Sequence, residues 1–275
     1  SLSHPGARRA KSPGRQFLCG RMISDQVGKS HPVFLIALSS MSVPGFPILL
    51  ADDRILAIDK PSGLLAIPDG YHLEYIHVRK LLEPMYGRLW MVHRLDKETS
   101  GVLLLARDAE AHRELNTQFA NRVVKKEYRL IAAGVPQQDQ WEVALPLKVN
   151  GDRAHRTVVD LKQGKPAITR FQVISRFTGG YSQLAAYPAT GYTHQIRAHL
   201  AASGLSIAGD QLYQPRPHST IVAQGPVSLP DEVKTANRLM LHASRIDFVH
   251  PGIQKPISVE APLPDDFILF VRELS

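Results

Sequence analysis

The sequence predicts an α+β fold: a mixed, mainly antiparallel sheet flanked by helices. Strand-type segments follow one another without a regular strand-helix alternation, helical periodicity is confined to a few stretches, and the apolar run Val102-Leu103-Leu104-Leu105-Ala106 reads as a buried strand. In chain order, Phe46-Pro47-Ile48-Leu49-Leu50 and Arg54-Ile55-Leu56-Ala57-Ile58, separated by an Asp-Asp turn, form a short hairpin. Glu74 to Met85 reads as an amphipathic helix. So does Asp108 to Asn121, where Asp108 caps the start and Ala111, Leu115 and Phe119 align at i, i+4 and i+8. Further strands are expected over Gly101 to Ala106, Lys126 to Ala132, Trp141 to Val149, Ala167 to Phe177, Tyr181 to Tyr187, Leu239 to Phe248 and Lys255 to Glu260. A last helix runs on from a Thr193 cap, with Ile196 and Leu200 on its buried side.

A chain of 275 residues, 44% hydrophobic, buries a substantial core. Its early apolar stretch, Val33 to Leu38, is far short of the roughly 20 residues needed to cross a bilayer, so no membrane span is expected. Cys19 is the only cysteine, which excludes an intramolecular disulfide or a cysteine-rich zinc site and fits a reducing, cytoplasmic compartment. The histidines suggest no metal site either, since His194 and His199 do not share a helical face. The formal charge is +8, but residues 1–40 hold Arg8, Arg9, Lys11, Arg15, Arg21 and Lys29 against Asp25 alone, leaving +3 for the rest. Nucleic-acid binding must therefore be argued from local clusters such as Arg122, Lys125, Lys126 and Arg129, or Arg153, His155 and Arg156. Residues 1–40 themselves, rich in Ser, Gly, Pro and Arg, are expected to be a disordered or mis-started N-terminal extension, with one domain over residues 41–275. Organellar import applies only if that extension is a genuine targeting segment.

Two segments carry the chemistry. His93-Arg94-Leu95-Asp96-Lys97-Glu98-Thr99-Ser100-Gly101 raises a carboxylate between two cations on a polar turn beside a rigid strand, where reactive groups commonly sit. Turn capping by Asp96 and Thr99 is the plainer reading of the same residues. In Thr190-Gly191-Tyr192-Thr193-His194-Gln195-Ile196-Arg197-Ala198-His199-Leu200, Arg197 falls at the edge of the buried side near a helix N-terminus. The helix dipole and desolvation both disfavour a cation there, so an acid should face it.

With Asp59-Lys60-Pro61-Ser62-Gly63-Leu64, Lys126-Glu127-Tyr128, Gly209-Asp210-Gln211-Leu212-Tyr213, Leu241-His242-Ala243 and His250-Pro251, these segments resemble the RluA-type pseudouridine synthase family, in that family's order, from about Pro47 to Phe267. The resemblance implies a pseudouridine synthase fold with a central RNA-binding cleft, and conversion of specific uridines in structured RNA, a tRNA or rRNA stem-loop, to pseudouridine. It implies Asp96 as the essential aspartate, Tyr128 as the active-site tyrosine and Arg197 as the arginine that pairs with Asp96. No metal or organic cofactor is implied, and a monomer without an obligate protein partner is expected. Tyr192 stands where the family commonly has Arg, and Gln214 where Gly is frequent.

The reaction breaks uridine's N-glycosidic bond, turns the uracil and joins C5 to C1′. Asp96 serves either as a nucleophile or as a base at C2′, and a nearby Arg favours its charged form. Tyr128 would lie against the uracil and take or relay the C5 proton. Apolar walls, with Leu95, Val102 and Ile196 as candidates, would exclude water. Arg94 and Lys97 are candidate phosphate contacts. His93, Thr99, His194 and Gln195 are candidate RNA contacts for which local hydrogen bonding is the commoner role. Two rivals stand beside this reading. One is a non-catalytic RNA-binding module; the other is a nucleosidase, which would need a second carboxylate such as Glu98 or Asp108.

Overall fold

A computed structural model of the chain describes residues 42–43, 46–68, 72, 74–214, 229–230, 234 and 236–275, all within one compact unit, Val33–Ser275. The expected extension over residues 1–40, and its boundary at residue 41, lie outside the described residues. In order, the elements are β1 (Ser42–Val43), β2 (Phe46–Ala51), β3 (Ile55–Lys60), α1 (Val78–Tyr86), β4 (Trp90–Met91), β5 (Ser100–Ala106), α2 (Ala109–Ala120), β6 (Lys125–Ala133) and β7 (Gln140–Val143). They continue with β8 (Leu147–Lys148), β9 (Val158–Val159), β10 (Thr169–Phe177), β11 (Tyr181–Pro188), α3 (Gln195–Ala202), β12 (Ser206–Ile207), β13 (Leu241–Val249), β14 (Pro256–Glu260) and α4 (Asp265–Leu274).

The main sheet has the order β1-β2-β3-β5-β13-β6-β11-β10-β7, with β4, β12 and β14 paired onto β5, β6 and β13. Neighbours are antiparallel except β5 and β13, where Ser100 lies opposite His242 and Gly101 opposite Ala243. The fold class is therefore the one read from the sequence. β5 is buried on both faces, as its unbroken apolar run requires. Val102, Leu104 and Ala106 pack with Ala111 and Leu115 of α2, while Leu103 and Leu105 pack with Val78 and Leu82 of α1.

Several boundaries differ from the sequence reading. The expected helix over Glu74 to Met85 begins only at Val78, because Val78 donates to the carbonyl of Leu65 and His77 caps the helix with its ring. The expected strand Trp141 to Val149 is two strands. β7 joins the main sheet and β8 pairs with β9 in a separate ribbon, split around Pro146, which has no N–H to give a ladder. Thr193 is not the cap of α3. His194 occupies that position with φ 55°, and the carbonyl of Thr193 accepts from the Thr157 hydroxyl instead, at 2.7 Å.

Two devices close the parallel junction between β5 and β13. Gly101 has φ +110°, and a Cβ there would sit 2.2 Å from the carbonyl oxygen of Ala243, so only glycine lets the strands meet. Gly101→Ala is expected to cost about 3 kcal/mol or more, seen as a lowered urea midpoint; a midpoint within error of the parent would contradict it. Beside it, the buried His242 shares a hydrogen bond between Nδ1 and Ser100 Oγ (3.0 Å), with Nε2 directed at the carbonyl of Ala261 (3.3 Å). Burial holds His242 down at about 4. Because the unfolded chain then binds the extra proton first, this contribution to stability is complete above about pH 6.5 and is lost as pH falls toward 4. We expect a loss of up to about 3 kcal/mol across that window from this group. In His242→Gln the plot of urea stability against pH should flatten over the same interval.

Candidate active site

The loop carrying Asp96 enters β5 and is tied down by a buried lysine. Lys60 Nζ donates to the carbonyls of Leu64 (2.8 Å), Pro61 (2.9 Å) and Lys97 (3.2 Å), while Gly63 N–H reaches Lys97 O (2.8 Å) and Ser62 Oγ reaches Glu98 O (2.6 Å). The Lys60-Pro61-Ser62-Gly63 turn is thus a brace for the Asp96 loop. Thr99 N–H closes the loop onto Asp96 O at 3.1 Å. On its far side, His93 Nε2 accepts from Leu104 N–H (2.9 Å) and its ring stacks on Phe119. Burial, with the charge of Lys126 adding to it, lowers His93 to about 3, so it stands neutral as an acceptor.

Asp96 opens into a cavity of about 480 Å³, within the roughly 300–1,000 Å³ usual for small-molecule sites. Tyr128 and Arg197 line the same cavity, from β6 and α3, with Leu95, Ile196 and Leu241 among its apolar walls. Burial, and then the charge of Asp96, push the Tyr128 phenol well above its ordinary range. A phenol so held keeps its hydrogen. In that form it can relay a proton by accepting and donating at once.

Arg197 corrects one expectation. Among the described residues its ion-pair partner is Asp210, not Asp96: Nε donates to Oδ2 and Nη2 to Oδ1, both at 2.7 Å. The acid demanded by a cation at a buried helix start is present, but it comes from the loop after β12. Asp210 Oδ1 also accepts from Leu212 N–H (2.8 Å) and Tyr213 N–H (3.0 Å), and the guanidinium lies over the Tyr213 ring. Gly209 brings this loop in with φ +78°, where a Cβ would fall 1.9 Å from Arg238 O. Nη1 of Arg197 is buried with no protein partner. Burial weighs against the charged guanidinium, but Asp210, with help from the charge of Asp96, outweighs it, and Arg197 is held above its ordinary value.

The other expected contacts divide. Arg94 is exposed and lines the cavity, as do Thr99, His194 and the exposed Arg122. Lys97 does not line it; its ammonium lies 5.8 Å from the Tyr75 ring centroid. Gln195 is committed internally. Its amide NH₂ donates to Ile168 O and Thr169 Oγ1, and its carbonyl oxygen accepts from Thr190 Oγ1 and Tyr192 N–H, which uses its whole hydrogen-bonding capacity. Val102 lies in the core beneath the site, not in its wall. The basic clusters also resolve: Arg129 pairs with Glu127, and Arg156 with Asp152. Lys126 lines the cavity, bonded to Thr190 O at 3.0 Å and lowered to about 8 by burial. Asp210 and Tyr213 belong to a motif that carries the resemblance, but nothing in their spacing along the chain assigns them to this site. Among the described residues that line the cavity, Asp96 is the only carboxylate. Glu98 is exposed outside it, and Asp108 caps α2 through Glu110 and Ala111 N–H. The pair of carboxylates that a glycosidase uses is therefore missing from this lining.

A sequence profile described as RNA pseudouridylate synthase matches residues 54–202. The chain belongs to the RluA-type pseudouridine synthase family. It is 35% identical over 228 residues to the dual-specificity RNA pseudouridine synthase RluA of Pasteurella multocida (strain Pm70), covering 83% of this chain and 98% of that one. It is 36% identical over 229 residues to the ribosomal large subunit pseudouridine synthase C of Vibrio vulnificus (strain CMCP6), covering 82% of this chain and 69% of the relative. Among solved structures, human RNA pseudouridylate synthase domain containing 4 superimposes with a TM-score of 0.63 at 26% identity, over 82% of this chain and 92% of that one. As a pseudouridine synthase this chain is an isomerase, and the cavity around Asp96 must be read against that reaction.

Proposed function

We propose that Asp96 isomerises uridine to pseudouridine in a stem-loop of tRNA or rRNA, with the nucleoside turned out of the RNA into the Asp96 cavity. The observation that carries this reading is a lone carboxylate on a braced loop, facing a space of about 480 Å³ walled by apolar side chains and a neutral phenol. Asp96 either attacks C1′ or removes the 2′ proton. In both routes the N1–C1′ bond breaks, the uracil turns, and a C5–C1′ bond forms, displacing Asp96 from C1′ in the first route and returning the proton from Asp96 to C2′ in the second, after which the C5 proton leaves and N1 is protonated. Arg197 and Tyr128 frame the carboxylate, and Arg94 and Arg122 present cations to the phosphates flanking the extruded nucleotide.

The relatives' names support the substrate class: one is dual-specificity and one acts on the ribosomal large subunit. A cytoplasmic site of action fits such RNA substrates. Among the described residues no helix is long and apolar enough to cross a membrane.

The test is release of tritium from tRNA and rRNA labelled at C5 of uridine, mapped to single sites. Release matched by pseudouridine, without free uracil, is expected. Free uracil as the main product would instead establish a nucleosidase.

A further inference from the structure

Asp96 meets one imidazole in the cavity, and the hydrogen bonds behind that ring fix which nitrogen carries its hydrogen. The hydroxyl oxygen of Tyr213 accepts from Thr157 N–H at 2.8 Å and lies 3.2 Å from His194 Nδ1. A hydroxyl oxygen can accept twice, but donation to Nδ1 is what gives the hydroxyl's own hydrogen an acceptor among these contacts. A neutral imidazole that accepts at one nitrogen bears its hydrogen on the other. His194 Nε2–H therefore points into the site, where Nε2 lies 3.8 Å from Asp96 Oδ2. The phenol that sets this tautomer keeps its hydrogen, because burial pushes Tyr213 up to about 12. Thr157 holds the assembly at two points: its N–H binds Tyr213, and its hydroxyl binds the carbonyl of Thr193, directly before His194. That grip accounts for a non-glycine residue with φ 55° at the start of α3.

We propose that His194 is a positioning residue: in its Nε2–H form, set by Tyr213, it takes Oδ2 of Asp96 when a nucleoside enters and turns Oδ1 toward the sugar. The proposal rests on Asp96 being the reacting carboxylate. At 3.8 Å the contact is too long for a hydrogen bond, and bonds of this kind commonly tighten only in the substrate complex. A neutral donor steers a carboxylate without the full positive charge that would lock it into an ion pair and blunt its reactivity. The charged groups around the imidazole are Asp96 and Glu98 from the loop before β5, Arg197 from α3 and Asp210 after β12, with the Tyr213 phenol beside it. Burial keeps the ring below its ordinary value, opposed by Asp96 and helped by Arg197. Acidification converts the steering donor into a cation paired with Asp96, so His194 contributes a step to the acid limb of the rate profile.

Two substitutions test this on the intact chain. His194→Gln keeps an N–H near the place of Nε2, and His194→Leu removes it. Neither is glycine, so the strained backbone is loaded similarly in both, which urea unfolding checks. In single-turnover tritium release, His194→Leu is expected to lose about 10²-fold in rate, the scale of a misplaced reacting group, with RNA affinity unchanged. His194→Gln is expected to stay within about tenfold of the parent and to lose the step that His194 contributes to the acid limb. Imidazole ¹⁵N NMR should show the Nε2–H tautomer in the parent and a mixture in Tyr213→Phe. Equal losses in the Gln and Leu variants, an acid limb in His194→Gln identical to the parent's, or an Nδ1–H tautomer in the parent would each overturn the proposal. The two readings fail separately. Activity in Asp96→Ala removes the reacting carboxylate, whereas an inactive Asp96→Ala beside a fully active His194→Leu removes only the role given to His194.

Discussion

Asp96→Ala is expected to reduce tritium release from C5-labelled RNA by on the order of 10⁴-fold, while RNA binding stays within about threefold of the parent. The expectation follows from geometry. No second acid lines the described cavity to substitute for it, and the neighbouring phenol is held in its protonated form. Stability should change little, because the loop is braced through backbone carbonyls by Lys60, Ser62 and Gly63 and not through the Asp96 side chain. Asp96→Asn, which keeps shape but abolishes the negative charge, should be as inactive as the alanine variant. A cellular effect that survives Asp96→Asn would show that the scaffold acts as an RNA-folding module and that the chemistry is dispensable.

Asp210→Ala should produce the largest loss of stability of any single side-chain truncation near the site. It strands a guanidinium that is only 4% exposed and removes an acceptor from two backbone N–H groups. Breaking a buried ion pair from one side costs about 3–5 kcal/mol, since the remaining charge stays desolvated without compensation. Urea unfolding of the variant measures it directly. A loss below about 1 kcal/mol would mean that Arg197 has found another acid, and Asp96 is the one within its electrostatic reach. The variant would then combine near-parental stability with low activity, because a carboxylate locked to Arg197 is withdrawn from the sugar. Replacing both partners with apolar groups should cost less stability than Asp210→Ala, since no buried charge is left behind.

The strands and the Asp108-capped helix were legible in the sequence because local signals and tertiary packing agree there. Val102 to Ala106 is apolar on both faces and is buried on both, and Ala111 and Leu115 lie where their spacing puts them. α4 lies outside the helices expected from sequence, although Phe267, Phe270 and Leu274 carry a helical spacing and Pro264 with Asp265 and Asp266 marks a helix start. α1 was drawn too long because pairing with Leu65, a contact distant in the chain, claims the residues before Val78.

In the candidate site, Asp96, Tyr128 and Arg197 were named from residues and resemblance, and the fold brings all three to one cavity. Their partners were a different matter. Physical reasoning required an acid against Arg197, yet its identity as Asp210 depends on how closely the loop at Gly209 approaches Arg238. Lys97 and Arg94 flank the same leucine and aspartate, but only Arg94 reaches the cavity. Charge alone does not say which side of a turn faces the site.

The amino-acid order by itself determined the fold class, the family and the candidate residues of the site, because these reside in local patterns: apolar runs, caps and motifs in a fixed succession. The tertiary structure alone decided which carboxylate holds Arg197, which phenol meets the His194 ring, and that Lys60 braces the loop of Asp96. Those outcomes turn on distances between groups far apart in the chain. Hydrogen bonds and ion pairs change their worth within about an ångström, a precision that spacing along a sequence does not carry.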